Sequence, residues 1–163
     1  MIRPATESDP PVIADIYNHY IQNTVATFEE QTVSQDDIAG RIAKVKGLDL
    51  PWLVAEDHGA VIGYAYATAW SNRSAYKHTV ETSVYLSHTA VSKGWGTQLY
   101  TTLFDLLRCK PIHAVIGGVT LPNPASIALH EKFGMKQVAH FKEVGYKFGQ
   151  WLDVGYWQTE LKS

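Results

Sequence analysis

T-V-E-T-S-V-Y-L-S-H-T-A-V-S-K-G-W-G-T-Q-L-Y-T-T-L-F-D-L-L, residues 79–107, decides how the rest of the chain is read. Its first eight residues alternate and are rich in β-branched and aromatic types, the signature of a strand. Its last twelve place Leu99, Leu103, Leu106 and Leu107 at helical spacing, which predicts a helix with one buried face. Between them stands S-K-G-W-G, residues 92–96. A strand, a short glycine-bearing turn and a helix start together make an anion site. Gly94 and Gly96 let the backbone approach a bound group, and the unpaired N–H groups of the first helical turn point toward it. A pyrophosphate suits such a cradle, and Glu81, on the strand beside it, is an acidic residue placed to act on a neighbouring substrate.

Outward from that unit, Ile2–Ala5 reads as a first strand. Thr6 or Ser8 is expected to cap a helix with Asp9, Pro10 and Pro11 in its first turn. Ile13, Ile16, Tyr17, Tyr20 and Ile21 form its buried stripe. Residues 24–30, T-V-A-T-F-E-E, read as a loop or short extended piece. Ser34 with Asp37 resembles a capping box for a second helix carrying Ile38, Ile42 and Val45 and closing near Gly47. Trp52–Glu56, a turn at Asp57-His58-Gly59, and Val61–Trp70 read as a hairpin. Ser71–His78 is a polar loop. C-terminal to the central unit come a strand at Ala114–Thr120 and a helix with Asn123 as N-cap, Pro124 first and Gly134 as its stop. Two last strands, Met135–Val144 and Trp151–Leu161, are joined through Gly145–Gly149. The expected fold is α/β: one mixed, mostly antiparallel twisted sheet flanked by helices, in a single domain over residues 1–163.

Composition narrows the function. Lys and Arg number 14 against 16 Asp and Glu, giving a net charge of −2, so no overall field favours nucleic acid. One cysteine, Cys109, excludes an internal disulfide framework, and without a motif partner it reads as inert. No apolar run approaches the roughly 20 residues of a membrane span. M-I-R-P-A-T-E-S-D-P-P lacks the apolar core of a signal peptide, so the expectation is a cytoplasmic chain. His78, His88, His113 and His140 are scattered without ligand spacing, and no metal site is expected. A dinucleotide fingerprint fails at Leu99, where a third glycine belongs, and Lys93 precedes Gly94 where an NTP-binding loop needs it to follow.

Together V-E-T-S-V-Y-L (80–86), G-W-G (94–96) and N-P-A-S-I-A-L-H-E-K-F-G-M (123–135) resemble the GCN5-related N-acetyltransferases. Within that superfamily the chain is similar to the phosphinothricin or methionine sulfoximine N-acetyltransferases. Y-N-H-Y-I at 17–21, T-F-E at 27–29, R-S-A-Y-K-H-T-V-E at 73–81 and G-Q-W-L-D-V at 149–154 extend the likeness over nearly the whole chain. It departs from the superfamily pattern Gln/Arg-x-x-Gly-x-Gly/Ala at Val91, where Gln or Arg is usual, and at Ser92, which replaces a frequent glycine. Backbone amides holding most of the phosphate contacts would make the consequence for acetyl-CoA affinity modest.

The resemblance implies transfer of an acetyl group from acetyl-CoA to the amine of a small, glutamate-like amino acid. Other small amines, a peptide N-terminus, or a non-catalytic CoA-binding module are the alternatives. A protonated amine is no nucleophile, so a base must take its proton. Glu81 is the first candidate, although alternation alone also permits a solvated face. His130 alone reads as a histidine packed on a helix face; the resemblance implies that it protonates the departing thiolate or assists deprotonation. Cofactor contacts are implied at Lys93, Gly94, Trp95, Gly96, Thr97 and Gln98, and at Val84, Tyr85 and Leu86, where a splay or bulge of the central strand would free backbone donors. Asn123 is a cap or a contact to the pantetheine arm. Arg73 and Lys77 are either solvated charges or the grip on the acceptor's anionic groups, with Tyr76, Phe28 and Glu29 lining the pocket. Trp151, Tyr156 and Trp157 read as core or as contacts of an implied homodimer.

Overall fold

The computed structural model describes residues 1–161. Seven strands form one sheet: β1 (Ile2–Pro4), β2 (Trp52–Asp57), β3 (Ala60–Ala69), β4 (Thr79–Leu86), β5 (Ala114–Leu121), β6 (Lys136–Lys147) and β7 (Gln150–Glu160), in the order β1-β2-β3-β4-β5-β7-β6. Every neighbouring pair is antiparallel except β4 and β5. The helices are α1 (Pro10–Asn23), α2 (Gln35–Gly47), α3 (Trp95–Arg108) and α4 (Pro124–Lys132), and a 3₁₀ turn covers Ser74–Tyr76. A parallel neighbour needs a crossover, and α3 supplies it between β4 and β5.

Strand alternation divides the core in two. On one face Ala65, Ala67, Val80, Val115 and Val119 pack under α3 through Leu99, Tyr100, Leu103, Phe104 and Leu107, with Ile127, Leu129 and Phe133 alongside. On the other, Trp52, Val54 and Tyr64 pack under α1 and α2 through Ile13, Ile16, Tyr17, Ile21, Ile38, Ile42 and Val45. The expected stripes of α1 and α3 are the buried faces observed. Leu106 is the exception: it is exposed, because it sits one position off the buried ridge.

The capping box of α2 is present: Asp37 N–H donates to Ser34 Oγ, and Ser34 N–H to the Asp37 carboxylate. Three local expectations need correction, at α1, at the first hairpin and at the last connection. The N-cap of α1 is Asp9, not Thr6 or Ser8; its carboxylate takes the Thr6 N–H and the Arg3 guanidinium. The close of α2 falls where expected, with Gly47 its last residue and Asp49 (φ 57°) the left-handed residue beyond it. In the first hairpin Asp57 belongs to β2, leaving a two-residue turn of His58 and Gly59 with φ of 50° and 81°. Finally, Gly145–Gly149 is not the last connection. The register of β6 slips between Phe141 and Gly145, with Glu143 at φ 52°, and β6 then resumes to Lys147 before a Phe148–Gly149 turn. Among the described residues no helix is long and apolar enough to cross a membrane.

Candidate active site

The cleft exists because β4 and β5 part company. They pair only from Thr79–Glu81 to Ala114–Ile116, yet β4 runs on to Leu86 and β5 to Leu121. On its other side β4 stays in unbroken register with β3, so the break is a splay and not a bulge. Ser87 N–H donates to Ile62 and Thr79 C=O accepts from Trp70, which assigns the odd residues of β4 to the β3 ladder. The even residues therefore direct their N–H and C=O groups toward β5, and past Glu81 that side is open. Val84 and Leu86 thus present backbone N–H groups to the gap. Tyr85 does not: its amide belongs to the ladder, and its ring packs edge-on to Tyr17 at 5.1 Å. The Leu86 carbonyl accepts from the Tyr20 hydroxyl.

The space so opened is a cleft of about 620 Å³ that passes from one sheet face to the other. Its glycine turn uses left-handed backbone at Ser92 (φ 63°) and Gly94 (φ 84°) to aim the start of α3 inward. Gly94 has no side chain to cap α3, so the N–H groups of the first turn stay available to an anion. A Cβ on Gly96 would stand 3.4 Å from Leu129, so the turn packs closely on α4. Ser92, Gly94, Gly96 and Thr97 line the cleft, with Val91 exposed at its mouth. Lys93 and Gln98 point to solvent and Trp95 packs against the α3 core, so these three do not line it. This rim of unpaired amides around an open cleft fits a diphosphate-bearing thioester cosubstrate.

Glu81 stands at the base of the splay. Its carboxylate is half-buried and has no hydrogen bond or ion pair among the described residues, and burial raises its pKa above the ordinary carboxylate range. It fits there because β5 carries Gly118, whose added Cβ would be 3.6 Å from Glu81 Oε2 and 3.1 Å from the Tyr156 ring. Gly117 serves the opposite face, where an added Cβ would meet His130 Nε2 at 2.4 Å. His130 is buried, Nδ1–H donates to the Ser126 carbonyl at 2.6 Å, and Nε2 is left as the acceptor. Burial lowers its pKa, which favours neutral imidazole. Asn123 caps α4 by accepting the Ser126 N–H at 3.2 Å, and it also lines the cleft.

Of the expected acceptor residues, Phe28 lines the cleft. Glu29 does not; Arg41 holds it at 2.7 and 2.9 Å, and the Tyr17 hydroxyl donates to it. Arg73, Tyr76 and Lys77 line a separate depression of about 400 Å³, together with Lys110. Among the described residues no lysine or arginine lines the cleft itself. Gly117 and Gly118 are additions that the motifs did not mark; Tyr20, read only within the α1 stripe and the Y-N-H-Y-I likeness, lines the cleft, and so does Tyr156, expected in the core or at a dimer contact. The signal for the first two was available: glycine inside a strand marks a close approach of another group.

A carboxylate of raised pKa without a partner among the described residues, two outward backbone N–H groups and an uncapped helix start are together chemically capable of proton removal beside a polarised carbonyl. Comparison with known proteins supplies the family. Residues 2–155 match the acetyltransferase (GNAT) domain. The chain is 38% identical over 161 residues to phosphinothricin N-acetyltransferase of Streptomyces viridochromogenes, covering 99% of this chain and 87% of that one. It is 36% identical over 160 residues to the L-methionine sulfoximine/L-methionine sulfone acetyltransferase of Salmonella typhimurium, covering 98% and 94%. The structure superimposes on a phosphinothricin acetyltransferase of Sinorhizobium meliloti in complex with acetyl-CoA, with a TM-score of 0.96, 39% identity and coverage of 99% and 88%.

Proposed function

The chain belongs to the GNAT acetyltransferase family, and from that premise we propose that residues 1–163 act as one domain acetylating the amine of a small glutamate-like amino acid. Phosphinothricin and methionine sulfoximine, from the relatives' names, are the acceptors to try first. The observation that carries the reading is the Glu81 carboxylate within the β4–β5 cleft, which has no partner among the described residues.

Acetyl-CoA supplies an activated acyl thioester. Gly94, Gly96 and Thr97 would hold its diphosphate through the uncapped start of α3. Asn123 would face its pantetheine arm. Val84 and Leu86 N–H groups would donate to a carbonyl oxygen as it gains charge. Glu81, its pKa raised by burial, would accept the proton that the acceptor's ammonium must lose, directly or through one water. His130 is assigned an accepting or orienting role rather than that of acid, because burial disfavours its imidazolium.

An acceptor carboxylate needs a cation, and among the described residues the cleft's own lining has none. Arg73 and Lys77 are kept as candidates; on one chain they line the neighbouring depression, so their use requires a second copy to bring the 71–78 loop to the cleft. A homodimer is supported by the exposed apolar side chains of the β6–β7 hairpin, Val138, Phe141, Val144, Tyr146, Phe148 and Trp151. A thiol-release assay with acetyl-CoA and an amine panel tests the reading. Turnover on the two named acceptors supports it; a strong preference for polycationic amines, or CoA binding without turnover on any amine, contradicts it.

A further inference from the structure

Lys147 is a buried ammonium that the proposed chemistry does not use. It lies near the end of β6, 2% exposed, and its Nζ donates to the Thr27 carbonyl at 2.8 Å across 120 residues of sequence. Burying a cation is costly, and Lys147 forms no ion pair among the described residues: of the two acids whose charges it feels, Glu30 and Glu29, the second is engaged by Arg41. One inward position earlier on the same strand, Gly145 lies under the Phe28 ring, where an added Cβ would come within 2.3 Å. The Thr27 hydroxyl is joined to Tyr17 OH at 2.8 Å, which ties the loop to α1 as well. Phe28 itself lines the cleft with Glu81, Val154 and Tyr156.

We propose that Lys147 is a positioning residue for acceptor selection: its ammonium on the Thr27 carbonyl, with Gly145 beneath the ring, fixes Phe28 as a wall of the acceptor end of the cleft. The inference rests on the reading of this cleft as the acetyl-transfer site. Loop 24–30 has no regular secondary structure; beside Phe28 its backbone is held by Lys147 on the Thr27 carbonyl and by the local bond of Glu29 N–H to the Thr27 hydroxyl, while Arg41 holds the Glu29 side chain. Either loss of the Lys147 contact or growth of a side chain at Gly145 moves the same ring. Acceptor binding then changes while the start of α3, on the far side of the cleft, keeps its grip on CoA.

The test compares Lys147→Met, Lys147→Arg and Gly145→Ala with the wild-type chain. Hydrogen exchange of the amides in residues 24–30 is read without turnover, acceptor KM and kcat by thiol release, and CoA affinity by calorimetry. Lys147→Met is expected to speed exchange and raise acceptor KM by about tenfold, the scale of a lost charged hydrogen bond, with CoA affinity kept within about twofold. Lys147→Arg restores a donor and recovers most of the acceptor KM. Gly145→Ala, which leaves the ammonium intact, raises acceptor KM as well and covers the case in which Lys147→Met does not fold. Unchanged exchange, an unchanged acceptor KM, or an equal loss of CoA affinity overturns the proposal. A wild-type chain that binds CoA and acetylates no amine overturns the parent reading and the selectivity role with it, whereas an active wild type with an unmoved acceptor KM in the variants overturns this inference alone.

Discussion

Glu81 and His130 rest on adjacent glycines of β5 from opposite faces of the sheet, Glu81 against Gly118 and His130 against Gly117. The two side chains reach one cleft only because β4 and β5 separate just past Glu81. Two small residues in succession therefore allow an acidic and an imidazole side chain to approach the splay from its two sides.

Gly117→Ala should be the more damaging of the two substitutions there. Its Cβ would sit 2.4 Å from a buried imidazole ring, and forcing that ring aside should cost about 1–3 kcal/mol. Gly118→Ala meets only the Tyr156 ring tightly, and the gain in backbone stiffness offsets it, so stability should stay within about 1 kcal/mol of wild type. Denaturant unfolding of the two variants measures the difference; equal losses would remove the packing argument.

Arg3 and Asp9 should carry acid sensitivity at the other end of the sheet. The Arg3 guanidinium holds the Asp9 carboxyl below its ordinary value of 3.8, so the contribution is complete above that value and lost as pH falls through the depressed one. Arg3→Leu leaves Asp9, 3% exposed, without its ion pair and should cost about 1.5–3 kcal/mol at neutral pH. The gap between variant and wild type should narrow below pH 3.8. A gap independent of pH would mean that the pair does not do this.

Val91 stands at the mouth of the glycine turn, 46% exposed, where the superfamily pattern has Gln or Arg. Val91→Arg adds a donor without disturbing the core and should tighten CoA binding by about 0.5–1.5 kcal/mol, roughly two- to tenfold, with the gain shrinking at high salt. Calorimetry at two ionic strengths reads both effects. Weaker binding in the variant would place the diphosphate elsewhere.

Trp151 and Val144 are respectively 64% and 59% exposed on the β6–β7 hairpin. Trp151→Glu with Val144→Lys should convert a two-chain particle into a one-chain particle by light scattering. A wild-type mass of one chain would defeat the dimer proposal outright.

Much of this architecture was legible in local pattern. The alternation of residues 79–86 and the leucine spacing of 99–107 gave β4 and α3, and the Ser34–Asp37 box marked the start of α2. What pattern could not carry was long-range. Asp9 looked like a first-turn residue because nothing local reveals that Arg3 would claim its carboxylate. Gly145 looked like part of a turn because a bulge and a turn use glycine alike. Glu29 and Phe28 are neighbours in sequence, yet Arg41 holds one away from the cleft while the other lines it. The splay depends on where the β4–β5 pairing stops, and that is set by tertiary packing. Arg73 and Lys77 were readable as cations but not as residents of a second depression.

The most direct test of the central claim is the pH dependence of kcat/KM for acetyl transfer in wild type and Glu81→Gln, with CoA affinity measured on the same samples. The wild-type rate should fall on the acid side through a pKa above the ordinary carboxylate range, because burial raises that of Glu81 and only its ionised form takes the proton. Glu81→Gln should lose about 10²- to 10⁴-fold in rate and the acid limb with it, while binding CoA as wild type does. A variant that keeps its rate and its acid limb would show that proton removal happens elsewhere.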